Sequence, residues 1–256
     1  MDSVKAQTLR SKEIFVVDGY STDQTAEIAQ ETGATVVQSY GNRSVARNIG
    51  LKRSSASTVL FVDSDMILPS TLVEECQSEL HNYDALIIPE ISVGIGFWAM
   101  CKSLERRTYY EDNLVEAARC FTRSAISSVG GFDSRLGAGE DWDLQCRIES
   151  AGYSVGRVRS TMTHDEGHPS LASLVRKKFV YGKSMGAYLR ANPSTGLRRI
   201  NPLRRVIFPS MKAFPESPVH GIGIFILKTL EFSGAGVGYI IGTENRTETA
   251  SDLIDG

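Results

Sequence analysis

The chain has 256 residues, 41% hydrophobic and 23% charged, the proportions of a globular protein able to bury a sizeable core as one large α/β domain or a domain with an appendage. A net charge of −2 gives no ground for a nucleic-acid partner. Four scattered cysteines (Cys76, Cys101, Cys120, Cys146) without C-x-x-C spacing exclude a disulfide framework or zinc knuckle and read as reduced thiols of a cytosolic protein.

Met1 to Arg10 is polar and has no signal-peptide pattern, and in a cytosolic protein the sequons at Asn42 and Asn245 carry no meaning. Glu13 to Val17 predicts a buried strand ending at Asp18-Gly19-Tyr20. Ser21 and Gln24 fit a capping box opening a helix to about Thr32, with Gly33 placed as its C′ residue. A strand over Ala34 to Gln38, a polar loop and a helix from Ser44 to about Arg53 come next. Thr58 to Val62, apolar without alternation, predicts a strand buried on both faces and ending in Asp63-Ser64-Asp65. Strands and helices alternating at this spacing predict parallel βαβ units.

Beyond Asp65, a helix from Pro69 to about Leu80, a short strand at Ala85 to Ile88 and a helical pattern from Gly96 to Tyr110 are expected. Arg119 to Thr122 predicts a strand and Arg123 to Val129 a short helix. The turn Gly130-Gly131-Phe132-Asp133 permits close backbone approach to a ligand. Glu140, Asp141 and Asp143 crowd the first turn of a helix reaching about Ser150, a placement the helix dipole alone would favour, and Tyr153 to Arg159 is the last strand of a domain expected over 1–170.

From Leu171 the character changes. Between Glu166 and Glu216 there are no acidic residues and ten Lys or Arg, so the rest of the chain carries −12. A basic helix from Leu171 to Arg190 leads through repeated prolines to Gly221–Gly242, almost wholly apolar apart from Lys228 and Glu231. A basic, apolar helical region over 171–242 suits peripheral docking at a membrane interface, with a helical pair packed on the domain or on a twin subunit as the rival. Residues 243–256 read as a polar tail.

Two carboxylates at a strand end are costly without a cation, and oxygen ligands of this kind suit Mg²⁺ or Mn²⁺ bridged to a substrate's phosphates. The rival for Asp63 is a cap on the following segment. Val16-Val17-Asp18-Gly19-Tyr20-Ser21-Thr22-Asp23-Gln24-Thr25 resembles the VVDDGSxDxT segment of family 2 nucleotide-sugar glycosyltransferases. In the same order Arg47-Asn48-Ile49-Gly50 resembles the RNxG element, Asp63-Ser64-Asp65 the DxD, Gly130 to Asp133 the glycine loop and Glu140 to Leu144 the ED-x-D-L motif.

The resemblance, over about residues 13–185, implies a GT-A fold, Rossmann-like with a mostly parallel sheet. It also implies inverting transfer of a sugar from a UDP- or GDP-sugar. Asp65, Asp63 and His164 would be the metal ligands. Asp141 would be the catalytic base, supported by Glu140 and Asp143. Asp18, Arg43, Arg47 and Asp63 would hold the donor. The basic segment points to a lipid-linked or saccharide acceptor at the cytoplasmic membrane face. One departure stands out: family members begin with a further central strand and a helix, where this chain has only Met1 to Lys12, with Val4 to Arg10 as a helix remnant. The chain is then a truncated form, or begun too late, or a poor donor binder. The main alternative is a nucleotide-sugar-binding or assembly module without turnover. A Rossmann methyltransferase fits worse, since no G-x-G follows the Val17 strand and the carboxylates would go unexplained.

Overall fold

Apolar β-branched runs and helical runs bounded by Asn, Ser, Thr and Gly alternate through the first half of the chain, and each becomes an element of the computed structural model, which describes residues 1–251, with side chains through residue 243. A one-turn helix α1 (Asp2–Lys5) precedes β1 (Phe15–Asp18), α2 (Thr25–Glu31), β2 (Thr35–Gln38), α3 (Arg43–Arg53) and β3 (Thr58–Leu60). Next come β4 (Met66–Ile67), α4 (Leu72–Glu79), β5 (Ala85–Ile87), β6 (Glu90–Val93), α5 (Phe97–Arg107), β7 (Ala118–Thr122) and α6 (Arg123–Ser128). The order closes with α7 (Glu140–Ser150), β8 (Val155–Arg157), β9 (Met162–Asp165), α8 (Leu171–Ala191) and α9 (Pro193–Arg199). A π-helical turn (Leu203–Ile207), α10 (Phe208–Ala213) and α11 (Pro218–Ser251) follow. α11 therefore continues into the polar stretch expected to be a tail, and residues 252–256 lie outside the described part.

These elements form two units. The first comprises Met1–Glu90, Glu116–Arg135 and Glu140–His164; the second comprises Ile91–Val115, Leu136–Gly139 and the chain from Asp165 on.

In the first unit, four strands pair in the order β3-β7-β5-β8, and β1 and β2 pair in a two-stranded sheet of their own. The expected parallel pairing holds for β1–β2 and β5–β8, while β7 runs antiparallel to both β3 and β5. β7 follows the 91–115 segment, whose helix α5 belongs to the second unit, so the rule that makes βαβ neighbours in one sheet parallel does not bind it. β5 organises the core because its residues alternate between two apolar layers. Ala85 and Ile87 pack with Ile126, Leu144 and Ile148 of α6 and α7; Leu86 and Ile88 pack with Leu72 and Cys76 of α4. Each buried Leu or Ile contributes about 1.5–3 kcal/mol. β3 is shorter and less buried than expected, its three residues all half-buried, although the Phe61 N–H still reaches the Arg119 carbonyl at 2.9 Å.

Local chemistry sets the helix bounds. Asn42 caps α3 by accepting the Val45 N–H at 3.1 Å. The capping box expected at Ser21 does not form: its hydroxyl donates to Asp18, and α2 starts only at Thr25. At the N-terminus, buried Gln7 donates to Ser3 and Pro69 carbonyls at 2.8 and 2.9 Å and accepts the Val73 N–H at 3.0 Å, tying the opening segment to α4.

The second unit is helical. α8 and α11 run in parallel at backbone contact: a Cβ on Gly238 would lie 2.1 Å from the Phe179 carbonyl oxygen, and one on Gly242 2.5 Å from that of Lys183. The two charges of α11 within Pro218–Thr243 point inward. Lys228 Nζ lies 2.8 Å from Glu105 of α5 and 2.7 Å from Glu231, all three side chains buried. Burial opposes both charge states, but the Lys228 and Lys102 charges hold Glu105 below the usual carboxylate range, and the glutamates raise Lys228. Lys228→Ala should therefore destabilise the chain by about 3–5 kcal/mol in urea unfolding, by stranding two buried carboxylates, while Lys228→Met combined with Glu105→Leu and Glu231→Leu should restore most of the loss.

Candidate active site

The end of β3 and the first turns of α3 and α7 bring one alternating chain of charges together in the first unit. Arg43 and Arg47 are one helical turn apart on α3 and share a face. The Arg47 guanidinium donates to Asp63 at 2.9 Å, to Asp141 at 2.5 Å and to Glu140 at 3.4 Å, and its carbon sits 5.2 Å from the centre of the Phe132 ring. Arg43 reaches Glu140 at 3.4 Å. On its other side Asp63 accepts from Arg119 at 3.1 Å, and Arg119 in turn pairs with Glu90 at 2.7 Å. Asp143, expected to support Asp141, is turned instead to Arg147 at 2.7 Å, one turn along α7.

These neighbours set the protonation tendencies. Burial alone would raise the Asp63 carboxyl, but Arg119 and Arg47 outweigh it and hold it far below the usual range. Glu140 goes the other way: burial and the neighbouring Asp141 charge push it up, only partly offset by Arg43 and Arg47. Glu140 therefore keeps a proton more readily than an ordinary carboxyl.

Asp65 faces a different partner. Antiparallel pairing of β4 with β9 sets Met66 opposite His164, and His164 Nε2 lies 2.9 Å from Asp65 Oδ2. That hydrogen bond, stronger than the opposing effect of burial, lowers the Asp65 carboxyl. Asp65 is half-exposed and His164 mostly covered, so the pair offers one oxygen and one nitrogen donor to an open side. Such a set fits a Mn²⁺ or Mg²⁺ ion that takes its remaining ligands from phosphate oxygens and water. Asp63 does not complete a three-residue set: both its oxygens are engaged by arginines, and among the described residues no group of three or more His, Cys, Asp or Glu gathers at metal-binding range.

Asp18 ends β1, buried, and its carboxylate accepts from the Ser21 hydroxyl and from the Ser21 N–H at 3.1 Å, which lowers it. These bonds hold it within its own turn, apart from the Asp63 chain of charges. Beside it Tyr20, at φ +62, stacks on Tyr40 with ring centres 4.0 Å apart, both rings exposed. A bulky residue in the left-handed region is strained, and such strain gathers at functional positions. Sequence reasoning passed over both tyrosines. It also passed over Arg119, whose signal was a charge inside the otherwise apolar run Ala118 to Phe121.

The paired glycines serve a neighbouring side chain. Asn48 of α3 accepts the Phe132 N–H at 2.9 Å and donates to the Phe132 carbonyl at 2.7 Å, clamping the loop that leads to α7. Gly131 permits this at φ +76, where a Cβ would fall 2.6 Å from Asn48 Oδ1.

Known proteins resemble the chain in both sequence and shape. The family described as glycosyl transferase family 2 matches residues 1–128. A Bacillus subtilis protein named as an uncharacterized glycosyltransferase, EpsJ, is 32% identical over 133 residues, covering 50% of this chain and 36% of its own. The chain thus spans well under two thirds of that relative. In structure it is similar to the mannosyltransferase PcManGT of Pyrobaculum calidifontis, solved with GDP-Man and Mn²⁺ (TM-score 0.62, 16% identity, 93% of this chain and 81% of that one). It is also similar to TarS of S. aureus (TM-score 0.53, 17% identity, 91% of this chain and 51% of that one). The fold is GT-A, as the motif order implied.

Gly131→Ala should lower stability by more than about 1 kcal/mol, since it combines a left-handed backbone with a clash on the clamp. In a double-mutant cycle by urea unfolding its effect should be strongly non-additive with Asn48→Ala.

Proposed function

Because the chain belongs to glycosyl transferase family 2, we propose that it transfers a sugar from a UDP- or GDP-sugar to an acceptor hydroxyl or phosphate with inversion, dependent on a divalent cation. The observation that carries this reading is Arg47, which links the DxD aspartate Asp63 to Asp141 through one guanidinium. A cation held by Asp65 and His164 would supply charge neutralisation for the departing diphosphate.

The chain's own residues do the rest. Arg47 and Arg119 present guanidinium forks, the geometry suited to phosphate oxygens, beside Asp63. An arriving diphosphate competes with Asp141 for Arg47, so donor binding frees the Asp141 carboxylate. Asp141 then accepts the acceptor's proton as the acceptor oxygen bonds to the anomeric carbon; the carbon–oxygen bond to the diphosphate breaks, and the diphosphate leaves with the electron pair. Attack and departure on opposite faces invert the centre. At the other end Asp18 offers a carboxylate to ribose or base, and the exposed Tyr20–Tyr40 stack offers an aromatic face for a base. The solved neighbours, PcManGT with GDP-Man and Mn²⁺ and TarS with UDP-GlcNAc, support this donor class. The acceptor is a lipid-linked or saccharide group, met at the cytoplasmic face of the membrane.

The separate β1–β2 sheet favours a second reading, a module that binds the donor without turning it over. One set of measurements distinguishes the two. Calorimetry with UDP and GDP should show Mn²⁺-dependent binding that Asp65→Ala and His164→Ala each abolish. Asp141→Asn should keep binding and lose about 10²–10⁴-fold in donor turnover. Binding without turnover in the unaltered chain would select the second reading; no nucleotide binding, with Asp65→Ala inert, would end both.

A further inference from the structure

α11 reverses the usual arrangement of a surface helix. Within Pro218–Thr243 its charges, Lys228 and Glu231, are 3% and 2% exposed and close onto Glu105 inside the helical unit. Its outward face carries Ile222, Phe225, Ile226, Leu230, Val237 and Ile240, all exposed and spaced as one side of a helix of 3.6 residues per turn. The remaining exposed positions of that stripe are Thr229, Ser233 and Gly236, so from residue 222 to 240 no charge lies on it. Pro218–Thr243 is long and apolar enough to cross a membrane, and only 28% of its most apolar stretch is buried. The strip continues onto α10: Gly221 lies against the Phe214 backbone, and Phe208, Met211 and Phe214 are all exposed. Water-exposed apolar surface of this extent marks a docking face.

The charges around it identify what it docks on. An open cleft of about 420 Å³ sets exposed Leu203 and Phe208 beside Arg198, Arg204 and Lys212; Asp112 also lines it, ion-paired to Arg204. Arg176, Lys177, Lys183 and Arg190 stand exposed on α8. No acidic residue interrupts the chain between Glu166 and Glu216. We propose that this face of the helical unit docks in the plane of a lipid bilayer carrying anionic headgroups. The apolar strip enters the boundary between headgroups and acyl chains, and the arginines and lysines meet the phosphates. This is independent of the transferase reading.

Two other occupants fit worse. If α11 crossed the bilayer, it would carry with it α8, to which Gly238 and Gly242 bind it at backbone contact, and would put exposed Arg176, Lys177 and Lys183 into hydrocarbon. A second copy of the chain would set basic flank against basic flank.

The test is flotation of the full chain with phosphatidylcholine vesicles, with and without phosphatidylglycerol, at low and high salt. The chain should float with the anionic vesicles at low salt and largely stay behind with neutral ones. Phe225→Ser with Ile226→Ser should reduce flotation on the order of tenfold. Arg198→Glu and Lys212→Glu should each cost on the order of fivefold on anionic vesicles only. Circular dichroism checks that each variant is folded, and Leu203→Ser with Phe208→Ser reports on the same face if the α11 pair is not. The proposal is overturned by absence of flotation, by equal flotation on neutral vesicles, by folded variants that float undiminished, by protein that resists carbonate extraction as a span would, or by a lipid-indifferent dimer that Phe225→Ser dissociates.

Discussion

The Arg47 guanidinium is the cation on which the arrangement of the first unit's charges depends. Asp63, Asp141 and Glu140 come from the end of β3 and the start of α7, and three carboxylates at such range repel unless a positive charge sits among them. A guanidinium does this without titrating, and its planar fork serves more than one carboxylate at once. Its own position is set from both sides: Asn42 caps the helix that carries it, and Phe132 lies beneath it, in the loop that Asn48 of the same helix clamps. The RNxG and glycine-loop motifs are therefore one structural device, in which α3 sets the start of α7 and so the place of Asp141.

The DxD aspartates divide according to what surrounds them. Asp63 is satisfied on both oxygens by arginines, one of them anchored by Glu90. Asp65, two residues on, is half-exposed and touches His164. Two residues apart on a regular strand they would share a face, but Ser64-Asp65 form a turn between β3 and β4, and one carboxylate faces the arginines while the other meets His164. The Asp65–His164 pair thus stands apart from the arginines that engage Asp63.

Much of this was legible in the chain. The strands expected at Glu13–Val17 and Ala34–Gln38, the helix expected from Ser44 and the acidic first turn of α7 followed from apolar runs and residue spacing, and the nearness of His164 to Asp65 from the family resemblance. What was not legible depended on contacts distant in sequence. Ser21 fits a cap locally, yet Asp18 takes its hydroxyl. β7 looks like any strand, and only its place between β3 and β5 makes it antiparallel. Arg119 reads as a stray charge until Asp63 and Glu90 close on it. The division into two units was hidden because both Ile91–Val115 and Leu136–Gly139 leave the first unit in mid-sequence, with nothing in composition to announce it.

The inward turn of the α11 charges is what composition alone does not show. In the sequence Lys228 and Glu231 read as interruptions of an almost wholly apolar stretch, because charges normally face water. Here Lys228 pairs with both Glu231 and Glu105 inside the helical unit, so the groups that ordinarily keep a helix wet are withdrawn from its surface. Burying those charges yields little net stability on its own account. Its consequence is geometric: with both charges of the 222–240 stretch on the inner side, the outer side is left wholly uncharged, and an apolar outer stripe follows from where the ion pairs sit.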